Sequence, residues 1–351
     1  MASISLCMIV KNEEDTLGRC LDSTKDIVDE IIIVDTGSTD NTKNIAYKYT
    51  NKVYDFKWCY DFAKARNYSF SKATEDYIMW LDADDVILEN DRLKLKEMKS
   101  KLDSNVDMIM LKYDLGLLSY YRERIVKKEN DYKWIGRIHE VIPPKGNVIT
   151  QDIAITHKKI HASDPKRNLI IFEKMIEDGD ELDARQTFYY ARELYYNKYY
   201  EKAILEYNKF FDMKDAWNEN KISACIDLYY IYLNLGESQK SMEYLFRTFL
   251  YDTPRAEACS LVGNYFLNNK EYKKAIFWYD QATNCKLDIS NGGFYNKDYY
   301  DYIPYLSMCV CYFHLGNLIK SKEYNEKAGM VKPDSKEYIN NKLFFENLKL
   351  N

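Results

Sequence analysis

The sequence predicts two domains of different class. Residues 1–164 read as an α/β domain with a mainly parallel sheet, and residues 165–351 as an all-α domain of helical repeats. Three observations predict this. A length of 351 residues gives room for two domains of ordinary size. The first half alternates short apolar runs with helical stretches. After Asp164 strand patterns almost vanish, and a small residue recurs at a helical-repeat spacing.

In the first half, Ile4–Val10 is the first strand, Glu13 to Lys25 is helical, and Glu30–Val34 is a second strand. Asp40, Asn41 and Thr42 offer caps to a helix running through Tyr49. A helix over Asp61–Ala73, a strand over Tyr77–Leu81, a helix over Arg92–Leu102 and a strand over Val106–Lys112 follow. Runs that are apolar without alternation belong to strands covered on both faces, as in a parallel sheet. Ligands of such sheets bind at the carboxyl ends of the strands.

In the second half, Ser163-Asp164-Pro165 is a helix start with Pro in the first turn. Ala203 in NKYYEKAILEY, Ser241 in LGESQKSMEYL, Ala275 in NKEYKKAIFWY and Ser321 in LGNLIKSKEYN then lie 38, 34 and 46 residues apart. A period of 34 is that of the tetratricopeptide helix pair, in which a small residue lets two helices approach. Gly236 and Gly316 mark turns between helices, and Val262-Gly263-x-x-Phe266 fits the third unit. An insertion from Asp288 to Tyr300 lengthens the last spacing.

Composition excludes some functions. A net charge of −5 supplies no field for nucleic acid. None of the eight cysteines forms Cys-x-x-Cys, which disfavours zinc and thioredoxin-type sites and suits reduced thiols in a cytoplasmic protein. The apolar run at the N-terminus is too short for a signal peptide or a membrane span.

The chemistry concentrates at strand ends. Ile78-Met79-Trp80-Leu81 runs directly into Asp82-Ala83-Asp84-Asp85. Crowded carboxylates repel each other when dehydrated. A hard cation such as Mg²⁺ or Mn²⁺ relieves this, and it commonly keeps positions for substrate phosphates. The alternative is a solvated Asp-x-Asp turn. The second strand likewise delivers Asp35 into Thr36-Gly37-Ser38-Thr39-Asp40-Asn41-Thr42, and the first ends in Lys11-Asn12-Glu13-Glu14.

CMIVKNEED, IIIVDTGSTDNT, DFAKARN and WLDADD, in this order, resemble the family 2 inverting glycosyltransferases of GT-A fold. The subgroup with C-terminal tetratricopeptide repeats, bacterial enzymes that glycosylate flagellin, peptides or surface polymers, is the most similar. The resemblance runs from Ile4 to about His157. It implies a UDP-sugar donor and Mn²⁺ or Mg²⁺. Asp35 would hold the uracil or ribose, and Val10, Asn12 and Glu14 would line the base pocket. Asp82 would sit near the ribose and metal, and Asp84 would ligate the metal. Asp85 would cap the next segment. Arg66 would reach the diphosphate or orient Asp82, with a surface ion pair as the alternative.

Inversion requires a carboxylate that takes the acceptor's proton. Trp134-Ile135-Gly136-Arg137-Ile138-His139-Glu140 resembles the subgroup's Trp-x-Gly-x-Ile-His-Glu signature. On that resemblance Glu140 is the base, Trp134 stacks on sugar or acceptor, and His139 binds a phosphate or orients Glu140. His157, ending the strand Ile153–His157, is the further metal ligand, and His161 receives no role. Arg122, Arg124 and Lys127, in or just after an alternating strand over Tyr120–Val126, face either the diphosphate or solvent from an edge strand.

The expected reaction is transfer of N-acetylglucosamine or glucose to a Ser or Thr hydroxyl of a protein such as flagellin. A peptide cysteine and a surface glycan are the alternative acceptors. The repeats would contact a protein or peptide acceptor or pair two copies of the chain. A repeat scaffold that binds a nucleotide sugar without turnover is the other class, and a nucleotidyltransferase lacks its Gly-rich basic loop here.

Overall fold

The computed structural model describes residues 2–116, 119–161, 164–286 and 295–348. Ser163 and residues 288–294 of the expected insertion lie outside the described residues. The chain divides into two compact units, Met1–Glu181 and Leu182–Asn351.

The first unit runs β1 (Ile4–Val10), α1 (Leu17–Asp22), β2 (Glu30–Asp35), α2 (Thr42–Ala46), β3 (Val53–Asp55), α3 (Phe62–Phe70) and β4 (Tyr77–Trp80). It continues with β5 (Asp85–Val86), α4 (Glu89–Ser100), β6 (Met108–Asp114), β7 (Ser119–Lys127), β8 (Val148–His157) and α5 (Arg167–Glu177). One sheet of order β3-β2-β1-β4-β7-β6-β8-β5 contains all eight strands. β1, β2, β3 and β4 are parallel, as are β6 and β8; β7 runs antiparallel to both its neighbours, and β5 to β8. In a flat sheet β4 and β5 would lie about 19 Å apart. The few residues joining them reach at most about 17 Å. The sheet therefore curls, and β5 closes against β8 beside the end of β4.

The unbroken apolar runs bury both faces. Leu6, Met8, Ile33 and Met79 face one core, with Leu17, Leu21 and Leu95 from α1 and α4. Cys7, Ile32, Ile78 and Trp80 face a second core, with Ala63 and Phe70 of α3 and with Tyr132 and Trp134. Two expectations are corrected. Of the two readings of the alternating segment the edge strand fails: β7 lies inside the sheet, where Arg122 pairs with Glu123 and Arg124 with Asp85. Glu13–Lys25 is helical only over Leu17–Asp22, with turns on either side. The compact unit also runs one helix past Asp164, because α5 supplies contacts to the 134–140 loop.

The second unit contains α6 (Ala184–Tyr196), α7 (Tyr200–Asp212), α8 (Asn218–Asn234), α9 (Ser238–Arg247), α10 (Ala256–Asn268), α11 (Tyr272–Asn284), α12 (Tyr302–His314), α13 (Leu318–Val331) and α14 (Lys336–Asn347). Ala203, Ser241, Ala275 and Ser321 lie in α7, α9, α11 and α13, and all are fully buried. Each is the fourth residue of a second helix that packs on the one before it. The turns within the four pairs share one bond from the residue after the turn to a carbonyl five earlier: Tyr199 N to Leu194 O, Glu237 N to Tyr232 O, Glu271 N to Phe266 O and Asn317 N to Tyr312 O. This closure needs a left-handed residue. Gly236 and Gly316 supply it in two pairs, Lys198 and Lys270 in the others.

Candidate active site

The parallel strands bring their carboxyl ends to one edge. Val10 pairs with Asp35, and Val10 O accepts from Thr36 N (2.9 Å) and Thr36 Oγ1 (3.0 Å). Asn12 then adopts φ 54°. This turns Glu13 inward and Glu14 outward. Glu13 lines both of two adjoining clefts, of about 320 and 460 Å³. Burial lifts the Glu13 carboxyl above its ordinary pKa, Asp84 and Asp82 add to this, and the Thr16 hydroxyl opposes it. Glu14 instead accepts from Asn41 N at 2.9 Å. The structure thus corrects Glu14 to Glu13 as the cleft-facing acid. Asn12 accepts from Thr39 N (2.8 Å) and lines the larger cleft, while Val10 lines the smaller.

Asp35 is buried. Its Oδ1 accepts from Gly37 N and Ser38 N, both at 2.9 Å, and its Oδ2 has no hydrogen-bond partner. A buried carboxylate oxygen left open at a strand end is suited to a donor from a ligand.

The 134–140 loop is closed by Ile135 N to Val141 O (2.9 Å) and Val141 N to Ile135 O (3.1 Å), with Gly136 at φ 96° and His139 at φ 51° inside it. Arg137 binds Asp178 (2.7 Å) and Asp180 (2.8 Å) beyond α5, and His139 stacks on Phe172 of α5. So held, Glu140 meets Arg66 of α3. Arg66 Nε donates to Glu140 Oε1 (2.7 Å) and Nη2 to Asp82 Oδ1 (2.8 Å). Burial raises the Asp82 pKa, but the Arg66 and Arg124 guanidiniums outweigh it and hold the carboxyl below its ordinary value.

Asp84, Asp85 and His157 offer ligand atoms that all lie within 4.8 Å of one another. β5 and β8 create this meeting by pairing Asp85 with His157. His157 Nδ1 lies 3.5 Å from Asp84 Oδ1, 3.6 Å from Asp85 Oδ1 and 2.9 Å from Tyr113 Oη. The Asp85 carboxylate, with Asp84, holds the imidazole above its ordinary pKa against the pull of burial. Burial, with Asp82 and Asp85, pushes the Asp84 carboxyl up, and His157 opposes this. Asp85 is fully buried; its Oδ2 binds Arg124 Nη1 (3.0 Å) and Asp82 N (3.1 Å), and its Oδ1 is unpartnered. Two oxygen donors and a nitrogen around an open carboxylate oxygen fit Mn²⁺ or Mg²⁺.

Several expected roles change. Trp134 is only 2% exposed and packs edge-on against Trp80 (4.8 Å) with Arg66 over its ring, so it supports Arg66 rather than stacking on sugar. His139 anchors its loop on α5 rather than lining either cleft. Arg124 is buried against Asp85, and Arg122 holds Glu123 (2.9 Å). Lys127 binds Ser104 O (2.8 Å) at the opposite end of β4, where it pairs with Tyr77. Sequence reasoning missed Glu13, Tyr113 and the cleft-lining Lys11 and Arg167. Only the odd position of Lys11, directly after β1, could have pointed to its place.

Residues 5–162 match the family model described as Glycosyl transferase family 2. This N-terminal half is a family 2 glycosyltransferase domain. The glycosyltransferase domain has the GT-A fold that its motifs implied. A TPR repeat-containing protein of Synechococcus elongatus is 38% identical over 40% of this chain and 36% of its own length. The SPbeta prophage-derived glycosyltransferase SunS of Bacillus subtilis is 27% identical over 60% of this chain and 56% of its own. The chain thus spans about a third to a half of these relatives. The structure of S. aureus TarS 1-349 in complex with UDP-GlcNAc superposes with a TM-score of 0.41 at 15% identity, over 69% of this chain and 90% of that one, a likeness too distant to build on. Among the described residues no helix is long and apolar enough to cross a membrane.

Proposed function

We propose that this chain is a metal-dependent inverting glycosyltransferase that moves a sugar, N-acetylglucosamine or glucose, from UDP to a Ser or Thr hydroxyl of a protein. The observation that carries the reading is one strand-end edge where the Asp84–Asp85–His157 cluster stands beside the Asp82–Arg66–Glu140 chain. The family of the N-terminal half supports the reaction class.

The residues divide the work. Asp35 Oδ2 accepts a hydrogen bond from the uracil or ribose. Asp84, Asp85 and His157 hold Mn²⁺ or Mg²⁺, which when bound neutralises charge growing on the departing diphosphate. Lys11 and Arg167 add positive charge along the same cleft. Arg66 holds Asp82 in place and takes one oxygen of Glu140. The other Glu140 oxygen accepts the acceptor's proton as the new bond forms at the anomeric carbon and the bond to UDP breaks. The helix-pair repeats supply a surface type that holds extended peptides, which favours a protein acceptor over a glycan.

The test is a screen of UDP-sugars by UDP release, with and without EDTA, followed by mass spectrometry of offered acceptors. Metal-dependent release with one sugar is expected. No release at saturating donor and metal contradicts the reading and leaves a non-catalytic nucleotide-sugar scaffold, and release indifferent to EDTA contradicts its dependence on a metal.

A further inference from the structure

Trp80 ends β4 two residues before Asp82 and is 2% exposed. Three guanidiniums surround its ring: Arg124 at 3.8 Å, Arg66 at 5.0 Å and Arg122 at 5.2 Å from the centroid. Each of them holds a carboxylate. Arg124 holds Asp85 of the metal cluster, Arg66 holds Asp82 and Glu140, and Arg122 holds Glu123. The indole Nε1 donates to Glu123 O of β7, which fixes the ring.

Arg124 is the informative member. It is fully buried, and its Nε and Nη2 have no hydrogen-bond partner. Those N–H groups belong to a guanidinium lying over two aromatic rings, Trp80 and, at 4.4 Å, Tyr113. The negative faces of the rings meet the buried positive charge. Without the Trp80 ring the buried cation keeps Asp85 and the Tyr113 face but loses the nearer of its two aromatic faces, which loosens its orientation.

We propose that Trp80 is a positioning residue serving both halves of the site: through Arg124 it orients Asp85 toward the metal cluster, and through Arg66 it orients Asp82 and Glu140. This rests on the metal-dependent reading above. It adds that metal affinity and nucleotide affinity share one aromatic support.

The test uses the full chain. Mn²⁺ affinity is measured by electron paramagnetic resonance and UDP affinity by calorimetry for wild type, Trp80→Phe and Trp80→Leu. Trp80→Leu should weaken Mn²⁺ at least about tenfold, the scale of losing support behind a metal ligand, and weaken UDP in parallel. Trp80→Phe, which keeps a π-face, should recover most of both. A folded Trp80→Leu with wild-type affinities overturns the proposal. If that variant does not fold, ¹⁹F spectra of the 5-fluorotryptophan-labelled wild type decide, with Trp80 assigned by its absence in Trp80→Phe. The Trp80 signal should shift on adding Mg²⁺ alone and again on adding UDP. A signal unmoved by either overturns the proposal. Wild type that binds neither ion nor UDP would instead refute the metal-dependent reading itself.

Discussion

Asp84 stands beside two other carboxylates; burial, Asp82 and Asp85 push its pKa up, and His157 and a backbone N–H oppose them. Asp84→Asn should therefore lower metal-dependent donor hydrolysis at least about a hundredfold, measured by UDP release, with little change in melting temperature. Glu140→Gln should cut transfer by about 10²–10⁴, the usual worth of a general base, while calorimetry still finds UDP bound. Lost UDP binding would make Glu140 a support for Arg66 alone. At the opposite end of β2, Glu30 is buried among Lys52, Ser5 and Thr74. Burial alone would raise its carboxyl, but these partners hold it down to about 2. A depressed carboxyl stabilises the fold above its unfolded pKa, and this is lost as pH falls. Glu30→Gln should thus cost on the order of 2–3 kcal/mol at pH 7 and flatten the loss of stability between pH 4.5 and 2. Positions of individual acids were legible where a motif places them at a strand end, as with Asp35 and Asp84. They were illegible where backbone conformation decides, as at Asn12, whose left-handed φ exchanges the directions of Glu13 and Glu14.

Helices and strands were legible in proportion to their apolar periodicity. The buried strands β1, β2 and β4 follow from unbroken apolar runs. β3 and β5 did not, because three- and two-residue strands carry no pattern. β7 stayed between two readings for a related reason: Arg122, Glu123 and Arg124 give it the alternation of a solvent-facing strand, and their partners inside the sheet carry no sequence pattern. The small residues of α7, α9, α11 and α13 marked the repeats well, since close helix approach demands them at fixed positions. The same geometry makes two predictions. Lys270 occupies a left-handed turn position that Gly236 and Gly316 fill in sister repeats. Lys270→Gly should stabilise the chain by about 1 kcal/mol, read as a raised melting temperature. A Cβ on Gly263 would come within 2.7–3.0 Å of the Tyr279 ring, which is buried and bonded to Asn264 at 2.6 Å. Gly263→Ala should destabilise by about 1–3 kcal/mol through overpacking, seen in denaturant unfolding.

For the whole molecule, the change of sequence grammar at Asp164 and the limit of the first compact unit at Glu181 differ by one helix. That helix is amphipathic, so its pattern reads equally well as the start of the repeats. Phe172 within it, and Asp178 and Asp180 just beyond it, hold the loop bearing Glu140. A chain ending at Glu181 should therefore keep UDP binding, and one ending at Asp164 should lose it or fail to fold. The central claim is that a divalent ion held by Asp84, Asp85 and His157 is part of the nucleotide site. Calorimetric titration of the full chain with UDP, in Mn²⁺ and then in EDTA, tests it most directly. Binding in Mn²⁺ should weaken at least about tenfold when the ion is removed; equal affinity in both, or no binding in either, rules out an ion at the nucleotide site.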